Sequence, residues 1–399
     1  MWYFFSPKVI FGEDALNYME KIVGEKCFIV ADKNMEELGF VKILTDKLDQ
    51  YGKKYEIFLE VQPDPHEEDI LKGKDQCIAY APDIIIALGG GSVMDSAKAI
   101  WAMYENPDFT VNDLHPFNDV LYLLGKKAPF VAIPTTSGTG SEATWATIIS
   151  RYDQDVWIKL EQAHKGLIPT YAIVDPVFPA GMPPKLTAAT GFDALAHSIE
   201  GVASDWRNEY SDALCLKAIE LIFKWLPIAI KDGKNMEARD YMHQAANIAG
   251  IGFGNSQVHI GHAMGHSWGA VFHTPHGLAV GTFCRYILAY CLNNPDEKDI
   301  SVAIYGKMAK QLGWANWSDD DRKAAFKVVD KIKELEKACD MPGNFKDLGI
   351  SKEDFEKNVD KLISLCYQSS SSVMSPRAPD TEDYTKLFTY AFEGKDIDF

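Results

Sequence analysis

Apolar positions follow two different rhythms along this chain. Through about residue 176, short runs such as Cys-Phe-Ile-Val-Ala at 27–31 and Ile-Ile-Ile-Ala-Leu at 84–88 recur, with others at 55–59, 130–133 and 171–174. Runs this short and apolar predict buried strands of a parallel sheet. Stretches between them, at 41–51 and 69–80, carry helical periodicity, so the alternation predicts repeated βα units. Gly181-Met182-Pro183-Pro184 interrupts the pattern. Beyond it come long amphipathic stretches at 188–203, 212–225, 238–251, 303–313 and 320–338 with few β-branched runs, which predict helices. The expected architecture is a Rossmann-like α/β domain over 1–182 followed by an all-α domain over 183–399. No internal repeat is visible, and the serine run at 369–372 predicts a loop.

Charge and cysteine content narrow the partners. The 399 residues hold 40 Lys plus Arg against 57 Asp plus Glu, a net charge of −17, which disfavours nucleic acid and anionic membrane surfaces. No apolar run reaches the roughly 18 residues of a membrane helix. The opening Met-Trp-Tyr-Phe-Phe-Ser-Pro-Lys lacks the basic and apolar regions of a signal peptide, so a cytoplasmic chain is expected. Seven scattered cysteines form no Cys-x-x-Cys pair, which points to reduced thiols and away from a disulfide framework.

Two loops invite a nucleotide. The first, Gly89-Gly90-Gly91-Ser92, lies between an apolar strand and a helical pattern, where bare backbone N–H groups and the helix dipole attract a phosphate. Three glycines also fit a plain strand-to-helix turn, and the loop is not a G-x-G-x-x-G fingerprint. The second, Pro134-Thr-Thr-Ser-Gly-Thr-Gly-Ser-Glu142, follows another apolar strand and is dense in hydroxyls. Two such loops suit a ligand of nucleotide size. Asp32, at the end of the first clear strand, suits the hydroxyls of an adenosine ribose and would repel a 2′-phosphate, so NAD is expected, with NADP as the alternative. Asp32 also fits a helix N-cap.

Histidines cluster at 259, 262, 266, 273 and 276, five of the ten within 18 residues, where uniform scatter would place about half of one. His262 and His266 share a helix face at i, i+4, while His276, between Pro275 and Gly277, is expected to turn back from a loop. Asp193 and His197 are also i, i+4 on an apolar helix. Asp193, His197, His262 and His276 make an N/O donor set suited to Fe²⁺ or Zn²⁺ and unsuited to Mg²⁺ or Ca²⁺. His243, His259 and His273 are read as ordinary core or surface imidazoles.

Taken together, these motifs resemble the iron-dependent, or group III, alcohol dehydrogenases over essentially the whole chain. The likeness rests on Gly89-Gly-Gly-Ser92 with Asp95 and Lys98, on residues 134–142, on Thr190-Gly-Phe-Asp-Ala-Leu-Ala-His197, and on His262-Ala-Met-Gly-His266 with Thr274-Pro-His-Gly277. It implies an N-terminal dinucleotide-binding domain and a C-terminal helical domain, with nicotinamide cofactor and metal between them. It assigns the metal to Asp193, His197, His262 and His276, and places His266 beside the nicotinamide and substrate. Gly90, Gly91 and Ser92 fall to the pyrophosphate, Asp32 to the adenosine ribose, and Asp95, Thr135, Thr136, Thr139 and Ser141 to the nucleotide loops. Lys159 stands where the family commonly has a lysine near the nicotinamide ribose. Ser267-Trp268 departs from the usual Pro-Leu, a change through which Trp268 could reshape the substrate end of the pocket.

The implied chemistry is hydride transfer between a metal-activated alcohol and nicotinamide, with His266 as the proton relay or as a hydrogen-bonding support of its helix. The implied assembly is a homo-oligomer, a dimer or larger. Two competitors use the same parts: a lyase or cyclase of the dehydroquinate-synthase-like type, and a non-catalytic NAD sensor. The first needs a cationic pocket, and no Lys/Arg cluster accompanies the metal motifs. Trp145, Trp157, Phe253, Trp268 and Phe272 could line an apolar substrate pocket, although such residues are more often core.

Overall fold

The computed structural model describes residues 3–153, 156–295 and 300–399. The Trp157 side chain, one of the aromatic candidates, lies outside the described residues. Two compact units emerge, Met1–Gly181 and Met182–Phe399.

The first unit is built on β1 (Lys8–Phe11), β2 (Lys26–Val30), β3 (Lys54–Phe58), β4 (Ile84–Gly89), β5 (Phe130–Pro134) and β8 (Tyr171–Val174). They form one sheet in the order β1-β8-β5-β4-β2-β3, and every pairing is parallel. β4 and β5 are buried at every position. Alternate residues therefore serve two cores: Ile84, Ile86 and Leu88 pack on one face of the sheet, and Ile85 and Ala87 on the other. Helices α1 (Lys33–Glu37), α2 (Phe40–Gln50), α3 (Glu67–Tyr80) and α4 (Gly91–Glu105) fill the connections. Strands β6 (Ala146–Asp153) and β7 (Val156–Ala163) form a separate antiparallel hairpin, which the sequence reading did not foresee.

The second unit holds α5 (Pro184–Ala203), α6 (Glu209–Lys231), α7 (Met236–Gly254), α8 (Ile260–Phe272), α9 (His276–Leu292), α10 (Ser301–Gln311), α11 (Asp321–Ala338), α12 (Lys352–Gln368) and α13 (Thr381–Glu393). It contains no strand among the described residues. Helix α5 is buried at every position from Gly191 to Ala203, so this stretch forms the centre of the unit, largely apolar outside the face that carries Asp193, His197 and Glu200. Three sequence expectations change here. The serine run belongs to a short 3-10 turn, Ser370–Met374, instead of an open loop. His276 is the first residue of α9, capped by Pro275, because proline presets the backbone for a helix start. Trp268 is fully buried against Phe272, Phe283 and Phe345, so it packs the helical core instead of shaping a pocket. Among the described residues, no helix is long and apolar enough to cross a membrane.

The two-faced burial of β4 sets a direct test. Ile86→Ala, at a side chain with no solvent exposure, is expected to cost about 2–5 kcal/mol, read as a lower urea midpoint; a loss below about 1 kcal/mol would contradict the packing described.

Candidate functional site

In the first unit the strand order reverses direction between β2 and β4. From β2 the chain goes outward to β3, returns to β4 on the other side, and continues to β5. Ligands of open parallel sheets bind beyond the carboxyl ends of the strands at such a switch point. Asp32 follows β2 there, and the glycine loop follows β4. The second loop leaves β5, the next strand, and Thr135 N donates to Gly89 O at 3.1 Å. A Cβ on Gly90 would lie 3.6 Å from Thr136, and one on Gly91 would lie 3.3 Å from Thr139, so the two loops run side by side. Gly89 is required by packing, since its Cβ would fall 2.5 Å from Val93 Cγ2.

The candidate cofactor residues separate into two kinds. Gly90, Gly91, Ser92, Thr136 and Thr139 are partly exposed at or beside the N-terminus of α4. Asp95, Thr135 and Ser141 look inward or are engaged within the protein. Ser141 Oγ donates to Asp95 Oδ1 at 2.9 Å, and Asp95 Oδ2 accepts from Ile148 N at 2.9 Å. Lys98, 0 % exposed, donates to Ser141 Oγ at 2.9 Å and to Ala146 O at 2.8 Å. Burial lowers the Lys98 amine to about 8 in spite of Asp95 and Glu142. Thr135 is buried. Asp32 is the N-cap of α1, its Oδ1 accepting from Met35 N at 3.0 Å, which leaves its second oxygen outside that bond. Lys159 sits exposed on β7, its Nζ 2.6 Å from Asp64 Oδ1, and the structure does not join it to the glycine loop.

In the second unit, Asp193, His197, His262 and His276 converge, their ligand atoms all within 4.8 Å of one another. Asp193 Oδ1 lies 3.2 Å from His276 Nε2 and 3.9 Å from the Nε2 atoms of His197 and His262. Donors about 2.1 Å from a tetrahedral ion stand roughly 3.4 Å apart, within this range. Neither Asp193 Oδ1 nor His262 Nε2 makes a hydrogen bond of acceptable geometry, although both are buried. Buried polar atoms are almost always satisfied, and a divalent cation bound to this N/O set would satisfy both.

Helix packing delivers these side chains. Asp193 and His197 share one face of α5, and His262 and His266 share one face of α8. A Cβ on Gly277 would meet Ala189 O at 2.5 Å, and one on Gly265 would meet Val280 Cγ2 at 2.4 Å. These glycines let the start of α9 approach both α5 and α8, which brings His276 to Asp193. Phe253 of α7 stacks on His197 at 4.0 Å, nearly coplanar, and His197 stacks on His262 at 4.5 Å. Burial pushes His197 down to about 3 in spite of Asp193, and it holds His262 well below its ordinary value. Both rings therefore stay neutral, as ligands must be. Burial would raise Asp193, but the surrounding imidazoles outweigh it and hold its carboxyl below the usual range. His266 is partly buried outside the four-residue group, its ring 5.0 Å from that of His276.

One residue escaped the sequence reading. Glu200, seven residues after Asp193 on α5 and buried, accepts from His262 Nδ1 across 2.6 Å and from His259 N at 2.7 Å. Its i+3 spacing from His197 was the available signal.

Residues 6–176 match the family described as iron-containing alcohol dehydrogenase, and residues 187–392 match its C-terminal domain. The chain belongs to the iron-containing alcohol dehydrogenase family. It is accordingly a metal-dependent alcohol dehydrogenase, an oxidoreductase acting on CH–OH groups. Within the family, the NADPH-dependent butanol dehydrogenase of Clostridium saccharobutylicum is 34% identical over 393 residues, 98% of each chain. This family member also matches aldehyde-alcohol dehydrogenases of which it spans less than half, 46% for the Streptococcus pneumoniae protein at 35% identity. The iron-containing alcohol dehydrogenase of Thermococcus thioreducens superposes with a TM-score of 0.87 at 28% identity, over 99% of this chain and 100% of that one. Sulfoacetaldehyde reductase of Bifidobacterium kashiwanohense, solved with NAD⁺, gives 0.83 at 25% identity, over 98% of each chain.

The buried lysine of this dehydrogenase predicts a pH effect of definite sign. Between its folded value of about 8 and the ordinary 10.5, the unfolded chain binds the extra proton, so stability rises with pH. Relative to a Lys98→Met variant, the protein is expected to gain about 2 kcal/mol between pH ~7.5 and ~9.5, measured from denaturant midpoints; a flat difference would refute the shift.

Proposed function

We propose that the protein oxidises a small alcohol with NAD⁺, and reduces the matching aldehyde or ketone in reverse, using Fe²⁺ or Zn²⁺ held by Asp193, His197, His262 and His276. The observation that carries this reading is the convergence of three imidazoles on a buried carboxylate oxygen that has no hydrogen bond. A divalent cation there supplies Lewis acidity that lowers the pKa of an alcohol hydroxyl. The three imidazoles enter neutral and Asp193 brings the single negative charge, so the donor set leaves a divalent charge only half compensated. His266, beside the group, is the residue to exchange the hydroxyl proton with solvent, since an imidazole can both accept and donate a proton.

In the first unit, backbone N–H groups at Gly90, Gly91 and Ser92 would hold the pyrophosphate, helped by the positive end of α4. Thr136 and Thr139 stand beside them with hydroxyls for the nucleotide. Asp95, Thr135 and Ser141 support the same loops from within. Asp32 would accept the adenosine ribose hydroxyls while capping α1. Lys159 would reach a nicotinamide ribose only by giving up Asp64. The Clostridium relative is named for NADPH and the Bifidobacterium one was solved with NAD⁺, so the carboxylate of Asp32 is the feature on which preference for NAD rests here. Seven free, buried cysteines support a reducing, cytoplasmic setting. The homo-oligomer belongs to this proposal by family likeness, and light scattering reads it.

Two experiments test the reading. Protein stripped by a chelator and rebuilt anaerobically with Fe²⁺ or Zn²⁺ is expected to reduce NAD⁺ with simple alcohols only when loaded. His276→Ala should lower metal content and kcat by more than the ~10–100-fold typical of outer-sphere changes. Bound metal and NAD⁺ without turnover on any alcohol or aldehyde would favour the lyase or sensor. Separately, Asp32→Ser is expected to shift the kcat/KM ratio toward NADP by roughly tenfold, about 1.4 kcal/mol, and a parent enzyme that already prefers NADP would sink the ribose assignment.

A further inference from the structure

The geometry points to Glu200 as a positioning residue that fixes the His262 ring with its proton on Nδ1 and its Nε2 lone pair toward Asp193, and so sets the affinity of the site for its metal. This inference rests on the metal reading above. Asp193, His197 and Glu200 stand at i, i+4 and i+7 on α5 and therefore share one face. Two of them face the candidate ion, and the third reaches the back of an imidazole that comes from a different helix.

Each oxygen of Glu200 is engaged. Oε2 accepts from His259 N at 2.7 Å, a backbone donor at the start of α8, and from His262 N at 3.3 Å, which it shares with His259 O at 3.2 Å. Oε1 lies 2.6 Å from His262 Nδ1. A carboxylate only accepts, so the ring must donate from Nδ1. Nε2 is then the bare nitrogen, and it is the buried atom without a hydrogen bond, 3.9 Å from Asp193 Oδ1. The chain makes room for this contact: a Cβ on Gly261 would fall 2.6 Å from Glu200 Oε1. A carboxylate behind a ligand imidazole fixes the tautomer and raises ligand basicity, and its loss typically costs ~10–100-fold in metal affinity. A simple helix cap would stabilise α8 without that effect.

The test uses the full chain and Zn²⁺ alone, titrated against a chromophoric chelator. Glu200→Gln keeps the shape but loses the charge, and it is expected to weaken Zn²⁺ binding about 10–100-fold. Gly261→Ala crowds the carboxylate without removing it and is expected to act in the same direction, so it decides the matter if Glu200→Gln does not fold. A second readout needs no metal: histidine-selective ¹⁵N spectra should show a strongly downfield His262 Nδ1–H that is lost in Glu200→Gln. Folded variants that bind Zn²⁺ within twofold of the parent and keep that resonance would overturn the inference alone. A parent chain that takes up no Zn²⁺ would overturn the metal reading, and this inference with it.

Discussion

One oxygen of Asp193, Oδ1, is withdrawn from water without a hydrogen bond of acceptable geometry, and the helical unit is organised around that deficit. An isolated buried carboxylate is very costly. Here three imidazoles approach the same oxygen, but burial keeps at least two of them neutral, so they offer dipoles in place of countercharge. The cost is tolerable because the helices leave no alternative. From Gly191 to Ala203 α5 is enclosed on every side, and at Gly277 and Gly265 the start of α9 presses onto its neighbours too closely for any side chain. Rigid packing thus holds a set of donors that repel protons and would welcome a cation.

The sheet of the first unit solves a different problem by similar means. Turning back between β2 and β4 leaves a place where neighbouring connections depart on opposite sides. The loops beside it are short of side chains where a phosphate would sit and rich in hydroxyls alongside. Lys98, Asp95 and Ser141 form a buried polar core beneath them. Such networks specify geometry only when their members are satisfied, and each of these three has a partner, so the two loops are fixed to one another through polar contacts instead of apolar ones.

Legibility followed burial. β2, β4 and β5 are almost wholly apolar and were readable as strands. β1 is only half-buried, and β6 alternates buried and exposed positions with Ser150 and Arg151 among them, so neither produced an apolar run. Asp193 and His197 could be read as one helix face because i, i+4 spacing survives folding, and His262 and His276 through the clustering of histidines around them. His276 reads as a loop residue in the sequence since Pro275 signals both a turn and a helix start, and only the packing of α9 decides between them. Glu200 went unnoticed because an acid on a helix ordinarily faces solvent; nothing local in the sequence announces that His262 arrives from another helix to cover it. Trp268, near His266 in sequence, is open in the sequence to pocket or core, and the structure resolves it as core, since neighbours one and two along a helix point in different directions.

Lys98 carries one more implication. Its amine is lowered to about 8 only while it stays buried, and in this structure none of its surface meets solvent. Its labelling by acylating reagents would therefore proceed only through excursions that expose it, and the rate of that labelling would count those excursions. The protein carries a built-in clock for local opening around Ser141 and Ala146, the partners of Lys98, legible by mass spectrometry at a single residue.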